Sequence, residues 1–152
     1  MIKAKDIMKT GVTTVSPDTT VEELGRLFIE RGISGAPVVD SENRLVGIVT
    51  ENDLIKQNTR FHIPTIIRLF DAFIPPGNSS IEKEIKRMSA SRVSEICTKE
   101  VITVGPETPL QEIATIMTEK AVHLIPVMSS GKLVGIIGKM DVVKGTMGET
   151  DK

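Results

Sequence analysis

The sequence predicts an α+β fold of two β-α-β-β-α repeats packed with pseudo-two-fold symmetry. Three observations carry that prediction. First, the chain repeats itself. Ile7, Val12, Thr14, Val15, Pro17, Thr19 and Glu23 recur as Ile96, Val101, Thr103, Val104, Pro106, Thr108 and Glu112. Pro37, Val38, Leu45, Gly47, Ile48 and Asp53 recur as Pro126, Val127, Leu133, Gly135, Ile136 and Asp141. Chance does not hold Pro, Gly and Asp in register over about fifty residues. Second, each copy sets short β-branched runs around one stretch of helical periodicity. Third, the length is 152 residues, with 39% hydrophobic and 26% charged side chains. That is enough to bury a core, but a single copy of about fifty residues cannot cover its own sheet. The two copies are therefore expected to share their apolar faces across a pseudo-two-fold axis, which brings equivalent loops toward a common cleft.

The elements follow in order. Val12–Val15 and Val101–Val104 read as short extended pieces, ended by Ser16-Pro17 and Gly105-Pro106. A helix follows in each copy. Thr19 with Glu22, and Thr108 with Gln111, have the spacing of a capping box, with Pro109 at the first helical position. Val21, Leu24, Leu27 and Phe28 share one helical face, as do Leu110, Ile113, Ile116 and Met117. Two apolar strands come next: Ala36–Val39 and Leu45–Val49 around the turn at residues 40–44, then Ile125–Met128 and Leu133–Ile137 around a turn one residue shorter. A short helix opens after Thr50 and after Gly138.

The boundaries expected are residues 1–56 for the first repeat, 57–91 for a connector, and 92–152 for the second repeat with a short polar tail. The connector takes Phe61, Phe70 and Phe73, three of the 4 Phe, and is too apolar for a free linker. Pro75-Pro76-Gly77 breaks it, and Ser79 with Glu82 spaces a further capping box. The expected role is a segment packed over the repeats, with a mobile lid as the sharper alternative.

Composition removes several classes of function. Lys and Arg number 19 against 20 Asp and Glu, so there is no basic footprint for nucleic acid. Trp and Tyr are absent and Phe numbers only 4, so an aromatic stacking platform is largely out of reach. One cysteine, Cys97, excludes an intrachain disulfide framework and fits a reducing compartment. Apolar runs fall far short of the roughly 20 residues of a membrane helix, and residues 1–8 carry no signal-like stretch, so a cytoplasmic protein is expected. Cys97, His62 and His123 match no zinc spacing, and no phosphate-binding glycine loop or nucleophile elbow occurs. No enzyme activity and no metal site are expected.

The sharpest candidate is Gly47-Ile-Val-Thr50-Glu-Asn52-Asp53. A strand ends, a helix begins, and Thr50 can cap it. First-turn N–H groups then face outward as an anion site. Asp53, one turn on, offers only acceptors and suits a pair of hydroxyls. The same residues also read as a plain capping box. In the second copy Gly138 replaces Thr50 while Asp141 remains, so two unequal sites are expected, with Lys139 as a nearby charge.

The repeat resembles the CBS domain, and the pair resembles a Bateman module. The likeness rests on Asp6-Ile-Met8, Val12-Thr-Thr-Val15, Ser34-Gly-Ala-Pro-Val-Val-Asp40 and Gly47–Asp53. In the second copy it rests on Glu95-Ile-Cys97, Val101–Val104, His123–Met128 and Gly135–Asp141. The resemblance implies a regulatory sensor of adenosine-containing ligands such as AMP, ADP, ATP or S-adenosylmethionine, commonly a homodimer, with an unidentified protein partner as reader. It implies that ribose and phosphate meet the Thr-x-x-Asp pair, while the base is held by the other repeat. On that pattern Thr50 and Asp53 work with Ile102, Thr103, Leu124, Ile125 and Pro126. Asp141 then works with Thr13, Thr14, Gly35, Ala36 and Pro37. His123 takes a position at which family members contact phosphate. Some of these strand residues also read as ordinary core. The competing reading of the whole chain is a structural or dimerisation module with no physiological nucleotide.

Overall fold

The computed structural model describes residues 1–56 and 91–148. The expectations for Phe61, Phe70 and Phe73, the Ser79–Glu82 box and the lid lie outside the described residues. In chain order the elements are α1 (Ala4–Ile7), α2 (Val21–Arg31), β1 (Gly35–Val39), β2 (Leu45–Thr50), α3 (residues 51–56), α4 (Val93–Ile96), α5 (Leu110–Glu119), β3 (Leu124–Ser129), β4 (Lys132–Gly138) and α6 (Lys139–Thr146). The strands form two two-stranded sheets, β1-β2 and β3-β4. Helix and strand therefore mix as the α+β class requires.

Helix α2 starts one residue later than the sequence spacing suggests. Thr20 is the N-cap: its Oγ1 accepts from Glu23 N at 3.1 Å, and Glu23 Oε1 accepts from Thr20 N at 3.0 Å. Thr19 instead turns the chain before the helix, accepting from Ser16 N at 3.2 Å. The second copy makes the same substitution of roles. Thr108 Oγ1 accepts from Gly105 N at 3.0 Å, and Pro109 sits at the N-cap of α5 rather than at its first helical position. Both Thr residues satisfy the N–H that the preceding proline turn leaves open, which is why this nearer role wins over the cap. The expected extended pieces shrink to single parallel bridges, Val15 to Val38 and Val104 to Val127.

The helices bury the predicted faces. Leu24 and Phe28 of α2 and Ile113 of α5 are buried, with their neighbours on the same face partly covered. The α2 chain turns out of its helix at Gly32 with φ 62°, the left-handed conformation glycine takes freely. Its counterpart Ala121 holds φ 53° with a Cβ. In the second sheet Leu124 faces Gly138 and Ile125 faces Ile137, with an irregularity between Val127 and Met128. Ser130 and Gly131, both at positive φ, close the hairpin.

The described chain forms two compact units, and each takes its leader helix from the other copy of the repeat. One unit joins Met1–Thr14 and Val39–Val46 to residues 99–148. Its core is Ala4, Ile7, Val104, Ile113, Ile125, Val127 and Ile137. Ala4 and Ile7 of α1 thus pack with α5, β3 and β4. The other unit joins Val15–Val38 to residues 47–56 and 91–98. Its core is Val15, Leu24, Phe28, Ala36, Val38, Val49 and Val93. Val93 of α4 thus packs with α2, β1 and β2. The expected divisions 1–56, 57–91 and 92–152 describe the repeat along the chain, and the compact units cross them.

Backbone pairing repeats this exchange twice over. Lys3 bridges Pro109, and Arg92 bridges the equivalent Thr20. Lys9 exchanges both backbone hydrogen bonds with Ile136, at 2.9 and 3.0 Å, and Thr98 does the same with Ile48, at 2.9 Å each. Each leader therefore ends as one more step on the edge of the hairpin strand, which satisfies groups an edge strand would leave open.

An exposed ionic cluster ties α1 to the turn before α5. Lys3 Nζ lies 2.6 Å and Lys5 Nζ 2.9 Å from the two carboxylate oxygens of Glu107. The hydrogen bonds from Lys3 and Lys5 pull the Glu107 carboxyl down to about 2. A depressed carboxylate adds stability above its unfolded pKa, and that stability is lost as pH falls toward the folded value. Glu107→Gln is therefore expected to flatten the acid limb of stability between about pH 4.5 and pH 2. Urea midpoints across that window, at low and high salt, check this. The effect is small because the pair is exposed and screened, and identical limbs for the two proteins would refute it.

Candidate functional site

Each copy places a carboxylate one turn past a strand-to-helix junction. In the first, Thr50 ends β2 and α3 begins at residue 51. Thr50 N donates to Asp53 Oδ2 at 2.8 Å, and Thr50 Oγ1 stands 3.4 Å from the same oxygen. The arrangement belongs to the helix start: the carboxylate takes the N-cap amide, as the plain capping reading expects. It uses one oxygen. Both residues are half-buried, and Asn52 is exposed.

In the second copy Gly138 is the N-cap of α6, and Gly138 N donates to Asp141 Oδ2 at 2.7 Å. Asp141 is only 3% exposed. Its other oxygen, Oδ1, is buried and has no hydrogen-bond partner. The one cation beside it among the described residues is Lys9, whose Nζ stands 3.8 Å from Oδ1. That is an ion-pair distance, too long for a hydrogen bond. A carboxylate oxygen taken from water without a donor is costly. Asp141 therefore offers a strong acceptor to any hydroxyl that reaches it. A Cβ at Gly138 would meet nothing nearer than Asp141 Oδ2 at 3.6 Å and Leu124 Cδ1 at 3.8 Å, so space does not demand glycine there.

The remaining expected site residues divide by unit. Thr13, Thr14, Ile102, Thr103, His123, Leu124, Ile125, Pro126, Lys139 and Asp141 belong to the unit built on the second copy. Gly35, Ala36, Pro37, Thr50, Asn52 and Asp53 belong to the other. Within the first group, register and the contacts at Gly138 put Leu124 and the His123 carbonyl beside the α6 start. His123, Thr103 and Lys139 are exposed, while Thr13, Thr14, Ile102 and Leu124 are half-buried. Ala36 and Ile125 are wholly buried in their cores, and Pro37 and Pro126 are fully buried too.

Sequence reasoning missed Lys9. The signal was present: the repeat aligns Lys9 with Thr98, so one copy has a charge where the other has none. What the alignment does not contain is the exchange of leaders, which carries Lys9 to Asp141 of the other copy. Cys97, aligned with Met8, packs against the core containing Val93, as a small apolar residue would. Among the described residues no group of three or more His, Cys, Asp or Glu side chains could hold a metal ion, and no helix is long and apolar enough to cross a membrane.

The fold and paired junctions define a tandem-repeat module with a helix-start carboxylate in each copy. The CBS domain family model matches twice, over residues 4–58 and 93–148, and the chain belongs to the CBS domain family as a tandem pair. It is similar to the chloroplastic CBS domain-containing protein CBSX1 of Arabidopsis thaliana, 31% identical over 146 residues, which cover 91% of this chain and 61% of CBSX1. Its fold matches a crystal structure of CBSX2 in complex with AMP, at TM-score 0.74 and 24% identity, over 97% of this chain and 98% of that one. It also matches a CBS domain pair of protein MJ0100 in complex with 5'-methylthioadenosine and S-adenosyl-L-methionine, at TM-score 0.72 and 22% identity, over 97% and 98%.

Proposed function

We propose that this chain is a regulatory ligand-sensing module that binds adenosine-containing nucleotides of the AMP, ADP or ATP class. One observation carries the reading: the buried Asp141 Oδ1, which has no hydrogen-bond partner, at the start of a helix. A pair of vicinal hydroxyls supplies the donors this oxygen lacks, and first-turn N–H groups and the dipole suit the phosphate that follows. Thr50 and Asp53 repeat the helix-start hydrogen bond in the other copy, with a half-buried carboxylate. Membership of the CBS family and the likeness to CBSX2 in complex with AMP support the same class of ligand. The absence of Trp and Tyr supports a base held mainly by aliphatic side chains and backbone. The residue division is part of the proposal: Thr50, Asn52 and Asp53 with Ile102, Thr103, His123, Leu124, Ile125 and Pro126, and Lys139 and Asp141 with Thr13, Thr14, Gly35, Ala36 and Pro37.

As a sensor, the module works as a cytoplasmic homodimer with no catalysis of its own. Nucleotide shifts it between two arrangements that a protein partner reads. Such a shift requires the ligand to bind the two arrangements with different affinity.

A thermal-shift and calorimetry panel with AMP, ADP, ATP and S-adenosylmethionine, each with and without Mg²⁺, tests the reading. A ligand at a hundred times its Kd stabilises the native state by about 2.7 kcal/mol. Asp53→Ala is expected to remove one binding event and Asp141→Ala the other. No response to any ligand, with both variants equally silent, replaces the sensor with a structural or dimerisation module. A response to S-adenosylmethionine alone changes the ligand and keeps the site.

A further inference from the structure

Asp53 and Asp141 are equivalent in the repeat, yet their charges are balanced differently. Lys9 Nζ stands 3.8 Å from Asp141 Oδ1, whereas among the described residues Asp53 has no cation at ion-pair distance. The source of the difference is the leader. Lys9 and Thr98 occupy equivalent steps, each paired by two backbone hydrogen bonds to the hairpin strand, at Ile136 and Ile48. Ile136 lies two residues before Gly138, so the backbone anchors Lys9 close to the junction, within reach of its side chain.

We infer that Lys9 is a specificity-determining residue that makes the Asp141 site select a phosphate-bearing adenosine ligand over a neutral one. The inference rests on the nucleotide reading of that site. A ribose hydroxyl that donates to Oδ1 takes the place the ammonium now faces, and the ammonium must move off. With a neutral nucleoside the displaced charge loses its partner and gains none. With a nucleotide it gains the phosphate, and a charge-assisted contact replaces the ion pair. The side chain is free to make that move, since it is 62% exposed and not hydrogen-bonded to the carboxylate. Asp53 has Thr98 at the equivalent leader step and, among the described residues, no cation at ion-pair distance, so its site is expected to discriminate less in favour of phosphate.

Calorimetry with AMP and with adenosine, on the full chain carrying Asp53→Asn to isolate the second site, tests this. Lys9→Thr, the residue of the other copy, is expected to reduce the AMP-over-adenosine preference by about three- to tenfold, as suits a partly exposed charge. Lys9→Arg is expected to retain the preference, and its melting curve controls for a folding defect. An unchanged preference in Lys9→Thr overturns the inference, and so does an equal loss of both affinities, which marks a structural role. Absence of binding of either ligand by the chain with Lys9 intact overturns the nucleotide reading itself, and the inference with it.

Discussion

Truncation of Ile113 to alanine is expected to cost about 2–5 kcal/mol of stability, the largest effect of any single change considered for this protein. Ile113 is 0% exposed and lies in the core with Ile7, Ile125, Val127 and Ile137. The loss combines the transfer free energy of the removed carbons with the cavity that a close-packed surround does not refill. Ile7→Ala, at 2% exposure, removes the same kind of contact from the leader side. Urea unfolding followed by circular dichroism measures both. Hydrogen exchange separates the unit that is loosened. Exchange of leaders predicts that Ile7→Ala speeds exchange in residues 110–138 more than in α2, although Ile7 and α2 are neighbours in sequence. Faster exchange in α2 alone would contradict the packing described above.

Alanine at either hairpin glycine is the second large effect. A Cβ at Gly47 would stand 2.9 Å from Cys97 Sγ and 3.0 Å from the Thr98 carbonyl oxygen. At Gly135 it would stand 2.5 Å from Met8 Sδ and 3.1 Å from the Lys9 carbonyl oxygen. The sulfur side chains can move, but both carbonyls belong to backbone steps held by paired hydrogen bonds. The leader must then shift off the strand edge, and overpacking of this kind costs about 1–3 kcal/mol. Thermal melts of Gly47→Ala, Gly135→Ala and the double variant measure it. The two are expected to add, since they act in separate units. Gly135→Ala carries a second readout, because it displaces Lys9: the AMP-over-adenosine preference is expected to fall with stability. Wild-type melting of both single variants would refute the close approach.

Much of the local structure was legible in the residues. The apolar runs at Gly35–Val39 and Leu45–Thr50, and at their counterparts, marked the strands to within a residue or so, because a strand covered by its neighbours needs such a run. The helical faces of α2 and α5 were legible for the same reason. Caps were less so. Thr19 and Thr20 sit side by side with Glu22 and Glu23, and spacing alone allows either pair. The proline turn decides between them by giving Thr19 another N–H to accept. Val12–Val15 looked like a strand, but only Val15 bridges, since β-branched composition does not supply a partner along the whole run. At the candidate site the junction carboxylates were legible as a motif. Their hydrogen bonds to the N-cap amides follow from local geometry, and the orphaned Oδ1 does not, because burial depends on what the rest of the chain puts around it.

By itself the sequence determined the duplication, the order of elements in each copy and the recurrence of an acidic residue one turn into the final helix. All of these are short-range properties, written in periodicity and in the conformational demands of Pro, Gly and Thr. The tertiary structure decided which leader serves which copy. Ala4 and Val93, Met8 and Cys97, and Lys9 and Thr98 hold equivalent places in the repeat, so local pattern does not say which hairpin each leader pairs with. The choice is a matter of long-range packing and edge pairing, to which helical or strand periodicity is blind. From that choice follows a difference in the ion pairing of the two junction carboxylates: Lys9 stands beside a buried Asp141, and no described cation stands beside Asp53.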